Sequence, residues 1–286
     1  MEKLEFKPIT LQDKDLFDSY FHTYQPPMSE FTFTNLFAWR LCKHYEYAVM
    51  DDHLIISFDS RKAFLQPVGK NPAILIEKIL AIYPESRFER VEETLAQQLR
   101  GKFTIVEEPN NADYVYGTEQ LRTLPGNKYA PKRNFIKQCE KCSPSVCILT
   151  DDTIKGFMEL QQEWCTLREC ENDSNLSAEN TAVLEALSHF KELKITGICI
   201  YVDNKIEGFA IGEALSPTTF VEHFEKGNSN IKGIYQYVLN QFVKNIPLQY
   251  TYINREQDLG IEGLRKAKKS YYPVKMITKY ILTNKR

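Results

Sequence analysis

Ile195–Leu215, reading ITGICIYVDNKIEGFAIGEAL, is the stretch on which the fold turns. Ile195 to Val202 is an apolar run too short for an ordinary helix. Asp203-Asn204-Lys205 supplies a turn, and Ile206 to Leu215 runs back. The pair reads as a hairpin with apolar residues on both faces, as in strands buried within a domain. Phe220 to Lys226 adds a third strand, closed by Gly227-Asn228. Ile231, Ile234, Tyr235, Val238 and Phe242 then keep helical spacing. Tyr250 to Ile253 reads as a strand, Asp258 to Lys268 as a helix, and Val274 to Leu282 as a last strand bounded by Pro273. Upstream, Ile154, Phe157, Met158, Gln161, Trp164 and Cys165 mark one helix behind an Asp151-Asp152 cap. Val183, Leu187 and Phe190 mark another behind Ser177.

The N-terminal half follows a looser version of the same order. Helices at Asp13–Tyr20 and Thr32–Trp39 are separated by Pro26-Pro27, through which a helix does not run. Tyr45–Val49 and Leu54–Phe58 flank Asp51-Asp52 as a hairpin, followed by a strand at Ala63–Gln66. A helix from Ile74 to Tyr83 ends at Pro84. Strand Arg87–Val91, helix Glu92–Leu99 and strand Phe103–Val106 complete this half. Leu124-Pro125-Gly126-Asn127 is the strongest punctuation in mid-chain and predicts a boundary, with domains over 1–127 and 128–286. The class is α/β. A meander feeding a helix, then strand-helix-strand, resembles the chain order of the GNAT acyltransferase fold. Two such orders imply two tandem GNAT-like domains, each a mixed, mostly antiparallel sheet flanked by helices.

Composition narrows the function. Of 286 residues 43% are hydrophobic, enough for a sizeable core, so bulk disorder is excluded. Thirty-six Lys+Arg against 38 Asp+Glu give a net charge of -2, which excludes a globally basic nucleic-acid coat but not a local basic patch. No stretch approaches the roughly 18 apolar residues of a spanning helix. Met1-Glu2-Lys3-Leu4-Glu5 is mixed in charge with no apolar run after it, which predicts no secretory signal and a cytoplasmic location. The seven Cys are then expected as reduced thiols. Cys139, Cys142 and Cys147 could hold a metal, but no His or second Cys pair completes four ligands, so small packed side chains are the plainer reading and no metal is expected.

Three places could carry chemistry. Val221-Glu222-His223-Phe224-Glu225-Lys226 puts four ionisable groups into a strand whose place in the order is central. Strand alternation sends Glu222 and Lys226 to one side, His223 and Glu225 to the other. Either the strand end emerges into water with its charges paired, or it floors a polar site where a carboxylate accepts a proton. The turn from Lys226 to Gly233 leads into a helix and could hold a phosphate at Gly233, or could simply be a helix capped by Ser229 or Asn230. Arg265, Lys266, Lys268 and Lys269 crowd the end of one helix, as favourable partners of its dipole or as phosphate contacts.

Several segments resemble the C-terminal catalytic domain family of phosphatidylglycerol lysyltransferases, and more closely a soluble bacterial family placed with it. They are Ser29–Arg40 (SEFTFTNLFAWR), Lys132-Arg133-Asn134, Glu222-x-x-Glu225-Lys226, and Asn254-x3-Asp258-Leu-Gly-x2-Gly-Leu-Arg265-x2-Lys268-x-Ser-Tyr271-x-Pro273. The resemblance covers most of the chain. It implies relatedness to Fem-type enzymes, which move an aminoacyl group from tRNA to an amine or hydroxyl. On it Glu222, Glu225 and Asn254 become catalytic candidates. His223, Lys226, Gly233, Asp258, Arg265, Lys268 and Tyr271 become substrate-binding candidates. It implies no permanently bound cofactor, a donor that is aminoacyl-tRNA or acyl-CoA, and a small-molecule, lipid or peptide acceptor. The pyrophosphate loop of CoA-using GNAT domains, basic residue-x-x-Gly-x-Gly/Ala, is matched by Asn230-x-x-Gly233-x-Tyr235 only at its central Gly. That favours the tRNA donor and leaves acyl-CoA as the alternative. A duplicated GNAT module that binds a ligand without chemistry is the competing class.

Overall fold

The computed structural model describes residues 4–285 of the chain; Met1 to Lys3 of the mixed-charge start lie outside them. Contacts divide the chain into two compact units. One holds residues up to Tyr114 with Gln257–Arg265 and Met276–Arg286, the other Val115–Glu256 with Lys266–Lys275.

The first unit begins with β1 (Lys7–Pro8), α1 (Lys14–Tyr24) and α2 (Phe33–Lys43). Thr32 caps α2 by accepting the Asn35 N–H. The hairpin β2 (Glu46–Met50) and β3 (His53–Phe58) turns at Asp51-Asp52, both in the left-handed region that such tight turns demand. β4 (Ala63–Leu65), α3 (Pro72–Ile82), β5 (Arg87–Glu92), α4 (Glu93–Gln98) and β6 (Phe103–Glu107) follow. Ile55, Phe64, Leu75, Ile76, Ile79, Phe88, Val91 and Leu95 pack into one apolar cluster. In the same unit Lys279 is fully buried, and its ammonium is 2.6 Å from both Glu30 and Asp113.

The second unit opens with β7 (Asp113–Gly117), whose first two residues belong to the first, and α5 (Thr118–Thr123), then α6 (Ala130–Glu140), β8 (Ser145–Ile148), α7 (Ile154–Leu167), α8 (Ser174–Ser188) and α9 (Phe190–Leu193). The expected meander is β9 (Thr196–Val202), β10 (Lys205–Ala214) and β11 (Thr219–Gly227), feeding α10 (Ile234–Asn245). β12 (Tyr252–Asn254), α11 (Glu262–Lys269), β13 (Lys275–Ile277) and β14 (Lys279–Asn284) close the chain.

Each unit is built on a seven-stranded mixed sheet, in the orders β1-β2-β3-β4-β5-β14-β6 and β13-β7-β12-β11-β10-β9-β8. The α/β class and the two flanked, mostly antiparallel sheets are as the sequence predicts. Two strands differ from the reading. The single strand foreseen at Val274–Leu282 is two, and the second, β14, inserts antiparallel between β5 and β6 of the first sheet. β7 was not foreseen; it pairs antiparallel with β12. One side of the meander is lined by Gly208, where a Cβ would come within 2.5 Å of Val238, so α10 lies directly on the strand. On the other side Phe209 packs on Phe157 of α7, ring centroids 5.0 Å apart.

The expectation of seven reduced thiols is corrected at one pair. The chain leaving α7 folds back through a short turn at Cys170–Asn172 and brings the Cα atoms of Cys165 and Cys170 to 5.2 Å, within disulfide reach, and the two are bonded. Cys139, Cys142, Cys147 and Cys199 are free thiols.

Candidate active site

The site begins with a ladder irregularity. Across β10 and β11, Ile211 pairs with Phe224 but Gly212 pairs with Glu222, so His223 is an extra residue, a β-bulge. Simple alternation therefore fails in this strand. Glu222 (opposite Gly212) and Glu225 (opposite Ala210) share one face, with Gly208. His223 joins Phe224 and Lys226 on the other. The sequence reading had set Glu222 and Glu225 on opposite sides; the bulge brings them together.

What they meet is Arg255, the first residue after β12. β11 and β12 run parallel only from Thr219–Tyr252 to Val221–Asn254, and beyond that β11 continues without β12 beside it. Arg255 stands where they part. Its guanidinium donates to Glu222 through Nε and to Glu225 through a terminal nitrogen at 2.6 Å. The rings of Tyr116 and Tyr271 lie 5.9 and 5.6 Å from it. Burial opposes charge on Arg255, but the two carboxylates more than offset this and raise its pKa. Burial pushes the Glu225 carboxyl up to about 8; Arg255 opposes the rise and the neighbouring Glu222 charge adds to it. Glu222 itself is buried, with one carboxylate oxygen hydrogen-bonded to nothing among the described residues. Two acids and one guanidinium share a small buried volume, and a carboxyl raised in this way is chemically able to give or take a proton near neutrality.

Arg255 is the residue the sequence reading missed. Its signal was present: two carboxylates on a central strand need a counter-charge, and the first cation past the neighbouring strand is the natural supplier.

The other predicted residues divide into separate groups. Asn254 is fully buried at the end of β12, and its side-chain oxygen accepts the Glu256 N–H at 2.8 Å, shaping the turn that aims Arg255. His223, on the opposite face, lies 2.9 Å from both Glu213 and Glu256. Burial disfavours its charge, yet these two hydrogen-bonded acids push it up to about 9, so it is an imidazolium at neutral pH. Lys226 is buried against Glu179 at 2.9 Å, with its ammonium 3.7 Å above the Trp164 ring. Lys268 is buried too and donates to the Arg255 carbonyl oxygen, while Tyr116 donates to the Lys268 carbonyl at 2.8 Å. Tyr271 is buried beside Arg255, and burial raises its hydroxyl.

Gly233 has a reason of its own. Its φ is +89°, and a Cβ there would come 2.0 Å from the Phe135 carbonyl oxygen of α6. The close approach expected for a phosphate is taken by the protein's own backbone. Asp258 and Arg265 lie in the first unit and form a bidentate pair at 2.8 and 2.9 Å, with the Tyr114 hydroxyl donating to the same carboxylate at 2.6 Å. Burial alone would raise Asp258, but these donors hold it down to about 2. The cationic cluster of α11 is thus not one patch: Arg265 and Lys268 are engaged internally, and Lys266 and Lys269 are exposed. Beside the other face of the meander, a pocket lined by Leu160, Trp164, Leu167, Arg168 and Gly227–Ser229 encloses about 30 Å³, room for a water rather than a substrate.

A two-sheet α/β chain with its polar cluster where two parallel strands diverge falls in the GNAT-like acyltransferase fold class. The chain belongs to the family described as phosphatidylglycerol lysyltransferase, C-terminal, whose model matches residues 21–283. It is similar to a conserved protein of unknown function from Bacteroides thetaiotaomicron, 33% identical over 99% of this chain and all of that one, with a TM-score of 0.92. At the level of fold it is similar to L-PGS from Bacillus licheniformis, 13% identical over all of this chain and 95% of that chain, TM-score 0.67. FemX is a more distant likeness, 11% identical over 97% of each chain, TM-score 0.56. An uncharacterized protein of Mycoplasmoides gallisepticum is 25% identical over 60% of this chain; the match spans 56% of that protein's length, little more than half of it. Among the described residues no helix is long and apolar enough to cross a membrane.

Proposed function

We propose that this chain is an acyltransferase of the aminoacyl-transferring kind, and that Glu225 accepts the proton of the attacking group. The observation that carries the reading is the pairing of Glu222 and Glu225 on Arg255 where β11 and β12 part. An acceptor amine or hydroxyl attacks the donor carbonyl carbon, and its proton passes to Glu225. The tetrahedral oxyanion is met by backbone N–H groups along the β11 edge that β12 leaves open. Collapse breaks the bond to the donor's leaving oxygen or sulfur, which takes the proton back from Glu225. No covalent enzyme intermediate is required. An acid held near 8 suits this cycle, because both of its protonation states are accessible at working pH.

Aminoacyl-tRNA is the preferred donor. Gly233 is closed by the Phe135 carbonyl, and Tyr235, where a CoA loop has a small residue, has its hydroxyl 3.2 Å from the Trp164 indole nitrogen. Both features argue against a CoA pyrophosphate seat. The acceptor is a small molecule, lipid headgroup or peptide. A duplication that binds ligand without chemistry is the second reading, favoured by Arg255 already being hydrogen-bonded to both acids. Purified protein incubated with aminoacyl-tRNAs, acyl-CoAs and candidate acceptors, with products read by mass spectrometry, decides. Product from aminoacyl-tRNA supports the proposal, product from acyl-CoA alone shifts the donor, and binding without product under any pairing favours the second reading.

A further inference from the structure

One covalent bond ties the end of α7 to the turn that leads into α8. Cys165 lies in the last turn of α7, Cys170 opens the short turn beyond it, and their disulfide spans a sequence separation of 5. Both cysteines are buried, while Thr166, Leu167, Arg168 and Glu169 between them are all exposed. Glu169 is in the left-handed region, at φ +51°, a conformation that a residue other than Gly keeps only where its surroundings hold it. A bond over so short a span restrains the unfolded chain less than one that closes a long loop. Its larger effect is local, and it falls on Lys226.

Trp164, next to Cys165, has the Lys226 ammonium 3.7 Å above its ring and its indole nitrogen 3.2 Å from the Tyr235 hydroxyl. Glu179, in α8, holds the same ammonium at 2.9 Å. One jaw of this clasp belongs to α7 and the other to α8, and the disulfide fixes the turn that joins the two helices. Lys226 follows Glu225 directly in β11, and the two charges act on each other. We infer that Cys165–Cys170 is a reversible thiol–disulfide latch on this clasp. Bonded, it keeps Trp164 and Glu179 together on Lys226; reduced, it lets the last turn of α7 unwind and the indole leave the ammonium. The reductant is a low-molecular-weight thiol of the glutathione class. Its thiolate attacks one sulfur of the pair, the Cys165–Cys170 bond breaks and a mixed disulfide forms. A second thiolate attacks the mixed disulfide, releasing the oxidised small molecule. Two electrons and two protons pass to the protein, which then holds two thiols, and the reverse sequence restores the bond.

The full chain, equilibrated in glutathione buffers of graded oxidised-to-reduced ratio, tests this, with thiols trapped by iodoacetamide and mapped by mass spectrometry. The expected result is a graded and reversible passage of Cys165 and Cys170 from bonded to alkylated. In the untrapped reduced chain, tryptic cleavage after Arg168 should be at least tenfold faster than in the oxidised chain, with cleavage after Lys155 changed less than twofold. The emission of Trp164, read as the difference between the parent and Trp164→Phe, should shift to the red on reduction. Cys170→Ser should behave as the reduced chain in every buffer. A bond that survives excess reduced glutathione, or two thiols that stay apart in oxidised glutathione, would overturn the latch. So would reduction that leaves both the Arg168 cleavage and the Trp164 emission unchanged. If Cys170→Ser does not fold, the oxidised and reduced forms of the unaltered chain decide. None of these readouts needs a transfer reaction, so the latch can stand in a chain that yields no transferase product and can fail in one that does.

Discussion

His223 grips Glu256 from across the sheet, 2.9 Å from imidazole nitrogen to carboxylate, and so fixes the turn whose preceding residue, Arg255, reaches both acids of the other face. A bulge residue on one strand thereby sets the aim of a guanidinium on the next. Because His223 is pushed up to about 9 from an ordinary 6.5, the folded protein holds a proton that the unfolded chain gives up first. The stability it contributes is complete below about 6.5 and is lost as pH rises through about 9. His223→Gln should lower the melting temperature at pH 6 by several degrees, an effect on the order of 2–3 kcal/mol. It should also flatten the fall in melting temperature between pH 6.5 and 9. An unchanged slope would show that His223 is not the titrating group.

Glu225→Gln keeps the size and a hydrogen-bonding oxygen for Arg255 but cannot take a proton. Turnover in whichever transfer assay is positive should fall about 100-fold or more. The protonated acid gives a share of stability that is complete below about 4.5 and is lost as pH rises through about 8, so Glu225→Gln should match the parent at the acid end and gain on it steadily between those values. For the unaltered protein kcat/KM should climb with pH and level off above about 8. Turnover within threefold of the parent would remove Glu225 from the mechanism.

Arg255→Met leaves two buried carboxylates facing each other without a counter-ion. The expected loss is about 3–5 kcal/mol. Arg255→Lys retains charge but not the fork that reaches both acids, and should recover only part of that stability. Urea denaturation of the three proteins at pH 7 gives the ranking; equal stability of all three would mean that the acids are solvated rather than enclosed.

Gly233→Ala introduces a methyl group at φ +89° and against the Phe135 backbone. A loss of roughly 1–3 kcal/mol is expected from the backbone conformation alone. If Gly233 instead served a ligand and not the fold, the variant would melt with the parent and fail only in binding.

Asp258 is held down to about 2 against an ordinary 3.8, so its share of stability is present above the ordinary value and disappears as pH falls through about 2. Arg265→Ala removes the bidentate partner and should move the acid-unfolding midpoint to higher pH, with little change at pH 7 to 8 in the affinity for any ligand of the second unit. Coincident acid titrations of the two proteins would refute the pairing.

Much of this was legible in the residues. The run from Ile195 to Gly227 and the helix after it carry period and turn chemistry strong enough to place every element of the meander. Glu222 and Glu225 stood out because charges in a central strand need a reason. Other features left no local trace. A bulge is a property of two strands in register, and nothing in Glu222-His223-Phe224 announces it, so alternation sent the two acids apart. β7 is brief and sits between Asp113 and Gly117, residues that read as loop. The Cys165–Cys170 bond depends on how the chain leaves α7. Asp258, Arg265 and Lys268 were visible as a pattern, but only the coordinates distinguish a cation turned inward from one offered to a ligand.

The strand that fills the gap between β5 and β6 is translated after the whole second unit. While the ribosome is still making residues 279–284, the earlier sheet has an unfilled slot and the Glu30–Asp113 pair lacks the ammonium of Lys279. That sheet must therefore wait for residues made after the second unit before it can lock, a pairing of high sequence separation of the kind that slows folding. Removing residues 279–284 would unstitch strands that were synthesised long before them.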